Sequence, residues 1–383
     1  MAFWDKLFGK GKKDKPEKEE KKEKKEEKKN QYELNWVAPN QNPWNIELLD
    51  LRPISQTMLS TSKDPRMASN AISYNQEDGL VFLNQTPKSD KSIESNLSFS
   101  IDSKLENGVL FIPSTMENKW AIYFHDNKIL FIRSWLREVF VVAETIQENN
   151  QLVIKKIFGE FTEGESNEFT ESVLKFLIHS HVLKETVPAP IPKELKDSTD
   201  TSGLWAFSTY GNMAHYGHFE ESIEYSTDLK MRSHSLLHIA IARGALDKVK
   251  EELEKGANIN SLAGDGLSTL HWSLANNTDI LEFLLKEGAN PNVESVEGAT
   301  PIMNAAQSNK MEHLKVLIEH KAAVNKQDNR GFTALHRAAE MGYIEIVKEL
   351  LNKGAKKEME AEGHTALSLA TARNNKEIIE ILK

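Results

Sequence analysis

Apolar residues follow two different rhythms along this chain. Between Gly108 and Phe158 they come in short, nearly unbroken runs: Gly108–Pro113, Lys119–His125, Lys128–Trp135, Glu138–Glu144 and Gln151–Phe158. Asp126-Asn127 and the polar stretch Gln147–Asn150 punctuate them. Runs of β-branched and aromatic residues joined by short polar turns predict an antiparallel β-meander. After Ser166 the rhythm becomes helical. Phe169, Val173, Leu174, Phe176, Leu177 and Ile178 fall on one face, with Ser166 or Asn167 as the cap. Val187-Pro-Ala-Pro-Ile-Pro192 then reads as an extended linker, and a short helix is expected around Leu204–Tyr210. Residues 31–186 therefore predict an α+β domain, and residues 187–232 a linker with a helical connector.

From residue 233 the helical rhythm itself repeats. Gly256-Ala-Asn-Ile-Asn260, Gly288-Ala-Asn-Pro-Asn292, Lys321-Ala-Ala-Val-Asn325 and Gly354-Ala-Lys-Lys-Glu358 are separated by 32, 33 and 33 residues. Ahead of each, and once more before the C-terminus, stands a second block. It runs Ser235-Leu-Leu-His238, Ser268-Thr-Leu-His271, Thr300-Pro-Ile-Met303, Thr333-Ala-Leu-His336 and Thr365-Ala-Leu-Ser368. A period near 33 with this T-P-L-H-x-A-like block resembles the ankyrin repeat, in five copies over residues 233–383.

That resemblance implies an α-solenoid of helical hairpins, one turn and two antiparallel helices per repeat. The Ser or Thr of each block caps a first helix, its His hydrogen-bonds within and between repeats, and the glycine after the second helix closes it with positive φ. Three departures carry their own expectations. The second repeat is one residue short at Ala275–Asp279, so its inter-helix turn should differ. Lys321 stands where glycine is usual, which disfavours a left-handed cap. Met303 and Ser368 replace the His and remove its hydrogen bond from two repeats.

Members of this family grip protein partners with loop tips and the concave first-helix surface. The matching first-helix positions are Ile239, Trp272, Asn304, Arg337 and Leu369, with Arg243, Asn276, Gln307, Glu340 and Met341 beside them. The loop tips include Asp265, Glu294, Asp328 and Arg330. Trp272 and Arg337 are the types that dominate interface energy. The bland reading of Trp272 is that it packs on the preceding region or fills the gap left by the short repeat. Ile239 is expected to be buried against that region.

Composition narrows the chemistry. The chain has 383 residues, a formal net charge of −9 and no cysteine. Thiolate zinc sites, iron–sulfur clusters and cysteine nucleophiles are excluded, and no clustered basic surface for nucleic acid is legible outside the N-terminal tail. No phosphate loop, nucleophile elbow, zinc motif or dinucleotide fingerprint is present, so no catalytic residue, metal ligand or cofactor is assigned. The histidine pairs His179-x-His181 and His215-x-x-His218 lack a third ligand fixed by spacing, and Asp50-Leu-Arg52 reads as a local salt bridge or a buried pair.

Residues 1–30 form a charged tail with too few apolar residues to order itself. Its first eight carry Phe3, Trp4, Leu7 and Phe8 on one helical face, a pattern suited to a weak membrane-surface contact. No stretch of about 18 apolar residues occurs, and the start lacks a secretory signal. The expected function is that of a cytoplasmic adaptor or scaffold. The alternatives are an enzyme in the α+β region to which the repeats recruit substrate, and an adaptor at a membrane surface.

Overall fold

The computed structural model describes residues 35–41, 45, 48–50, 77–114, 118–195, 199–211, 215–217 and 225–383. Phe3, Trp4, Leu7, Phe8, Arg52, His218 and the side chains of Asp50 and His215 lie outside the described residues.

The long apolar runs form the strands that their composition predicts. β1 (Asn35–Val37) and β2 (Leu48–Asp50) form a small antiparallel sheet that β10 (His215–Gly217) completes. The large sheet contains β3 (Ser92–Glu94), β4 (Ser98–Ser100), β5 (Gly108–Phe111), β6 (Trp120–His125), β7 (Lys128–Arg133), β8 (Glu138–Glu148), β9 (Gln151–Gly159) and β11 (His234–Ser235). Its order is β11-β5-β6-β7-β8-β9-β3, with β4 also paired to β9, and every pairing is antiparallel. Asp126 and Asn127, at φ 50° and 58°, make the tight turn between β6 and β7; Asn149 and Asn150 do the same between β8 and β9. β8 therefore runs four residues beyond the expected Glu144.

β6 is buried at every position. A strand reads as one continuous apolar run when both of its faces are covered. Trp120, Ile122 and Phe124 face a core shared with α1 (Asn167–Leu177) and α2 (Thr199–Tyr210), while Ala121 and Tyr123 face a second cluster with Phe82, Val109 and Leu130. Ser166 caps α1 by accepting the Phe169 N–H. The segment Val187–Ala189, expected as linker, is buried in the first core, and the Tyr210 hydroxyl donates to Pro190 O at 2.8 Å. Arg133 staples α2 to the sheet. Its guanidinium donates to the helix-terminal carbonyls of Ser208 and Thr209, the latter at 2.7 Å, and stacks on Trp120 at 5.0 Å. Burial lowers its pKa to about 10, and the negative end of α2 is the counter-charge.

The repeats follow as five helical hairpins: α3 (Leu236–Ala242) with α4 (Leu246–Glu254), α5 (Thr269–Ser273) with α6 (Thr278–Lys286), α7 (Pro301–Gln307) with α8 (Met311–Glu319), α9 (Ala334–Met341) with α10 (Ile344–Asn352), and α11 (Ala366–Ala372) with α12 (Lys376–Leu382). First helices contact first helices from each hairpin to the next. The alanines Ala240, Ala305, Ala306, Ala338 and Ala339 are buried between them, and Leu281, Leu284, Leu314, Leu317, Ile346 and Leu350 supply the ridges of the second helices.

The departures resolve in different ways. Four hairpins turn through a left-handed residue, at Gly244, Asn309, Gly342 and Asn374, whereas the short second repeat has none at its turn and α5 is only five residues long. Lys321 corrects the expectation placed on it. It takes φ 68°, in the same region as Gly256, Gly288 and Gly354. The repeat geometry imposes this conformation even on a residue with a Cβ, at a cost of roughly 1–2 kcal/mol.

Candidate functional site: the first-helix face of the repeats

The caps set this face rigidly. Ser235, Ser268 and Thr333 place their hydroxyl oxygens 2.8, 2.7 and 2.8 Å from Nδ1 of His238, His271 and His336. The backbone N–H of Ser268 also donates to His271 Nδ1, so Nε2 carries the proton, which it donates to Ala299 O of the next repeat at 3.1 Å. His336 reaches Met359 O and His364 O in the same way. Burial holds His271 down to about 4 and His238 to about 3, so both stay neutral. In the third repeat Met303 Sδ accepts the Thr300 N–H at 3.5 Å but has no N–H to pass on to the next repeat, and Thr300 Oγ1 is buried with no hydrogen-bond partner. Ser368 keeps only the local cap, its N–H donating to Thr365 Oγ1 at 3.2 Å.

The predicted binding residues fall into two groups. Most charged ones are engaged inside the protein. Asp328 is not an open loop tip: it is buried, Oδ1 accepting the N–H groups of Arg330 and Phe332 and Oδ2 pairing with Arg337 at 2.7 Å. Arg337 is half-buried and lies over the Phe332 ring at 4.5 Å. Arg330 forms a fork with Glu362, Glu294 pairs with Lys326, and Glu340 pairs with Arg373. Trp272 is half-buried. Its ring meets His234 and His238 at 5.2 and 5.5 Å, and its N–H donates to exposed Asp265. His234 belongs to the large sheet, so the tryptophan bridges the two regions. Ile239 is half-buried against the Val109–Tyr123 cluster, and Leu369 is half-buried too.

The second group is uncharged. Asn304 on α7, Gln307 on α7 and Met341 on α9 make no internal side-chain hydrogen bond; Gln307 and Met341 are exposed, and Asn304 is half-open to solvent. Asn304 and Gln307 lie one turn apart on α7, and Met341 lies on α9, which packs against α7. Register alone puts these residues on one face in the sequence. It could not tell which charges the fold would neutralise internally.

In the sheet region the best-formed acid–base cluster surrounds His179. The last turn of α1 widens over Ile178–Val182, with Leu183 N donating to Ile178 O five residues back. This sends the two histidines apart. His179 Nδ1 lies 2.6 Å from Glu185 Oε2, with its ring 4.4 Å from Tyr225; His181 turns inward onto Ser180 and Phe111. Burial lowers both, His181 to about 3. Among the described residues no group of three metal-ligating side chains occurs, and no helix is long and apolar enough to cross a membrane.

Residues 212–295 and 270–361 match the family model for ankyrin repeats (3 copies). The C-terminal region thus consists of ankyrin repeats, while no family model matches the sheet-rich N-terminal region. Among curated relatives, the putative palmitoyltransferase ZDHHC13 of Danio rerio is 34% identical over 150 residues, 38% of this chain and 23% of its own length. Alpha-latrocrustotoxin-Lt1a of Latrodectus tredecimguttatus is 33% identical over 113 residues, 29% of this chain and 8% of its own. The tyrosine-protein kinase HTK16 of Hydra vulgaris is 31% identical over 159 residues, 40% of this chain and 21% of its own. The chain spans less than a quarter of each of these relatives.

Proposed function

We propose that the protein is an adaptor that holds a segment of another protein along the first-helix face of its ankyrin repeats. Ankyrin repeats bind proteins as a class, and the first helix of each hairpin here contacts the first helix of the next. The observation that carries the reading is that Asn304, Gln307 and Met341, on adjoining first helices, are open to solvent and make no internal side-chain hydrogen bond. Side-chain amides without internal partners are ready to bond a partner's backbone, and Met and Trp supply adaptable apolar contact. The charged residues of the face are paired inside the protein and set its limits rather than its affinity. A cysteine-free chain suits a reducing cytoplasm.

Quantitative affinity capture from the source cell tests this, with wild type beside Gln307→Arg and Met341→Glu. Both side chains are exposed, so both variants should fold. Loss of the same captured proteins from both is expected. Recovery of an unchanged set by both folded variants would remove the site from this face.

A further inference from the structure

Within the repeats, two kinds of contact tie a hairpin to its predecessor. At the loop after the second helix, a backbone N–H is accepted by an asparagine one repeat earlier. Asn260 Oδ1 takes Asn290 N at 2.8 Å, Asn292 takes Ala323 N at 2.6 Å, and Asn325 takes Lys356 N at 2.8 Å. On the first helix, the residue eight positions after the cap reaches back in the second and the fifth repeats. Asn276 donates to Ile241 O at 2.6 Å, and Arg373 donates to the Glu340 carboxylate at 2.8 Å.

Asn258 and Arg243 occupy these two positions in the first repeat, which has no repeat before it to reach. Both contacts are nevertheless made, and both partners come from the sheet region. Asn258 N donates to Glu106 Oε1 at 2.7 Å, and Arg243 pairs with Asp78 at 3.2 Å. A third join is covalent. Ser235 pairs with Gly108 as the last residue of β11 and is at the same time the cap of α3, accepting the His238 N–H. Ser233 Oγ and Leu236 N donate to the carbonyls of Glu106 and Asn107 on either side of this join. The segment that the ankyrin model matches begins at residue 212, ahead of this cap, yet residues 215–217 are strand β10, paired with β2.

We propose that the sheet region is the missing first repeat in functional terms: Glu106 and Asp78 reproduce the contacts of a preceding repeat, so that the sheet caps the stack and fixes the start of its binding face. A stack needs a terminal cap because an end repeat exposes the apolar flank that its neighbour would cover. Here that flank, with Ile239 on it, is covered by the Val109–Tyr123 side of the sheet. A partner can therefore enter the face only from the second repeat onward, and the sheet and the first hairpin open together.

Amide hydrogen exchange on the full chain tests this, comparing wild type with Glu106→Ala, Glu106→Gln, Asp78→Ala and, as an inner-rung control, Asn292→Ala. Loss of one charge-assisted hydrogen bond should speed exchange about tenfold. Glu106→Ala should do so at Asn258 and through α3 and α4 while sparing α9–α12. Asn292→Ala should shift the same effect to Ala323 and α7–α8. Glu106→Gln keeps an acceptor oxygen and should restore rates near wild type. Unchanged protection of α3 and α4 in a Glu106→Ala/Asp78→Ala chain would overturn the proposal. So would a wild-type chain in which residues 235–383 open in a step separate from β5–β7.

Discussion

The sheet and the repeats solve the same problem, burial of apolar surface, with opposite means. The sheet packs large aromatics that occur once each. Trp120 is fully buried, meets Phe140 and Phe161 edge-on at 5.7 and 5.3 Å, and donates to Thr209 O at 2.7 Å from the far end of the domain. The repeats pack alanines and leucines at a period near 33, and most of their core contacts have counterparts one repeat away. A core of unique, distant contacts is strongly cooperative and tolerates little change. A core of repeated neighbour contacts spreads its energy, so one faulty rung is survivable. The repeats can accordingly carry Lys321 in a left-handed conformation and an unpartnered Thr300 hydroxyl.

The sharpest way to break this contrast is Trp120→Ala. Loss of a fully buried tryptophan and of its hydrogen bond should cost about 3–5 kcal/mol, read by urea denaturation. Because the sheet caps the repeats, protection in α3 should fall as well. A loss under 1 kcal/mol would mean that the aromatic core is not the keystone of the sheet.

Acid should act next most strongly, and on both regions. His181 in the turn that ends α1 and His238 and His271 in the repeats are held by burial to about 3, 3 and 4. In the unfolded chain they take up protons near pH 6.5. Depressed folded values mean that the unfolded state binds protons first. Stability is thus fully present above about pH 6.5 and falls by several kcal/mol as the pH drops towards 3. His271→Gln should flatten that slope. An identical slope in the variant would show that His271 does not titrate in this way.

Asp328→Ala removes the acceptor for two backbone N–H groups and strands Arg337, and about 2–3 kcal/mol of destabilisation is expected by thermal denaturation. Its effect should stay within the third to fifth repeats, as hydrogen exchange would show; loosening of the sheet would contradict the neighbour-only picture.

The smallest effects are gains. Met303→His should give Thr300 Oγ1 a partner and reach Phe332 O as His271 reaches Ala299 O, adding about 1 kcal/mol. Lys321→Gly relieves the left-handed strain but adds unfolded-state freedom, for a net gain of about 0.5–1 kcal/mol. A fall in melting temperature in either variant would contradict the reading of that rung.

Local chemistry wrote much of this protein openly. The alternation of apolar runs and Asn-rich turns specified β6 to β9, because strand propensity and tight-turn geometry act over a few residues. The blocks at 235, 268, 300, 333 and 365 specified the hairpins, because a cap hydroxyl, its histidine and a left-handed closing residue act within one repeat. The continuous run Trp120–Phe124 even carried the sign of a strand covered on both faces. What covers the second face could not be read, since Phe82 and Ile239 are far from it in sequence and each is ordinary on its own. The neutral, open side chains on the first helices were hidden for the same reason. Asp328, Arg337, Glu340 and Arg330 look like free charges until folding brings each to its partner. Periodicity and capping are properties of neighbours along the chain. Pairing across distance, and with it which first-helix side chains stay open to solvent, belongs to the tertiary structure alone.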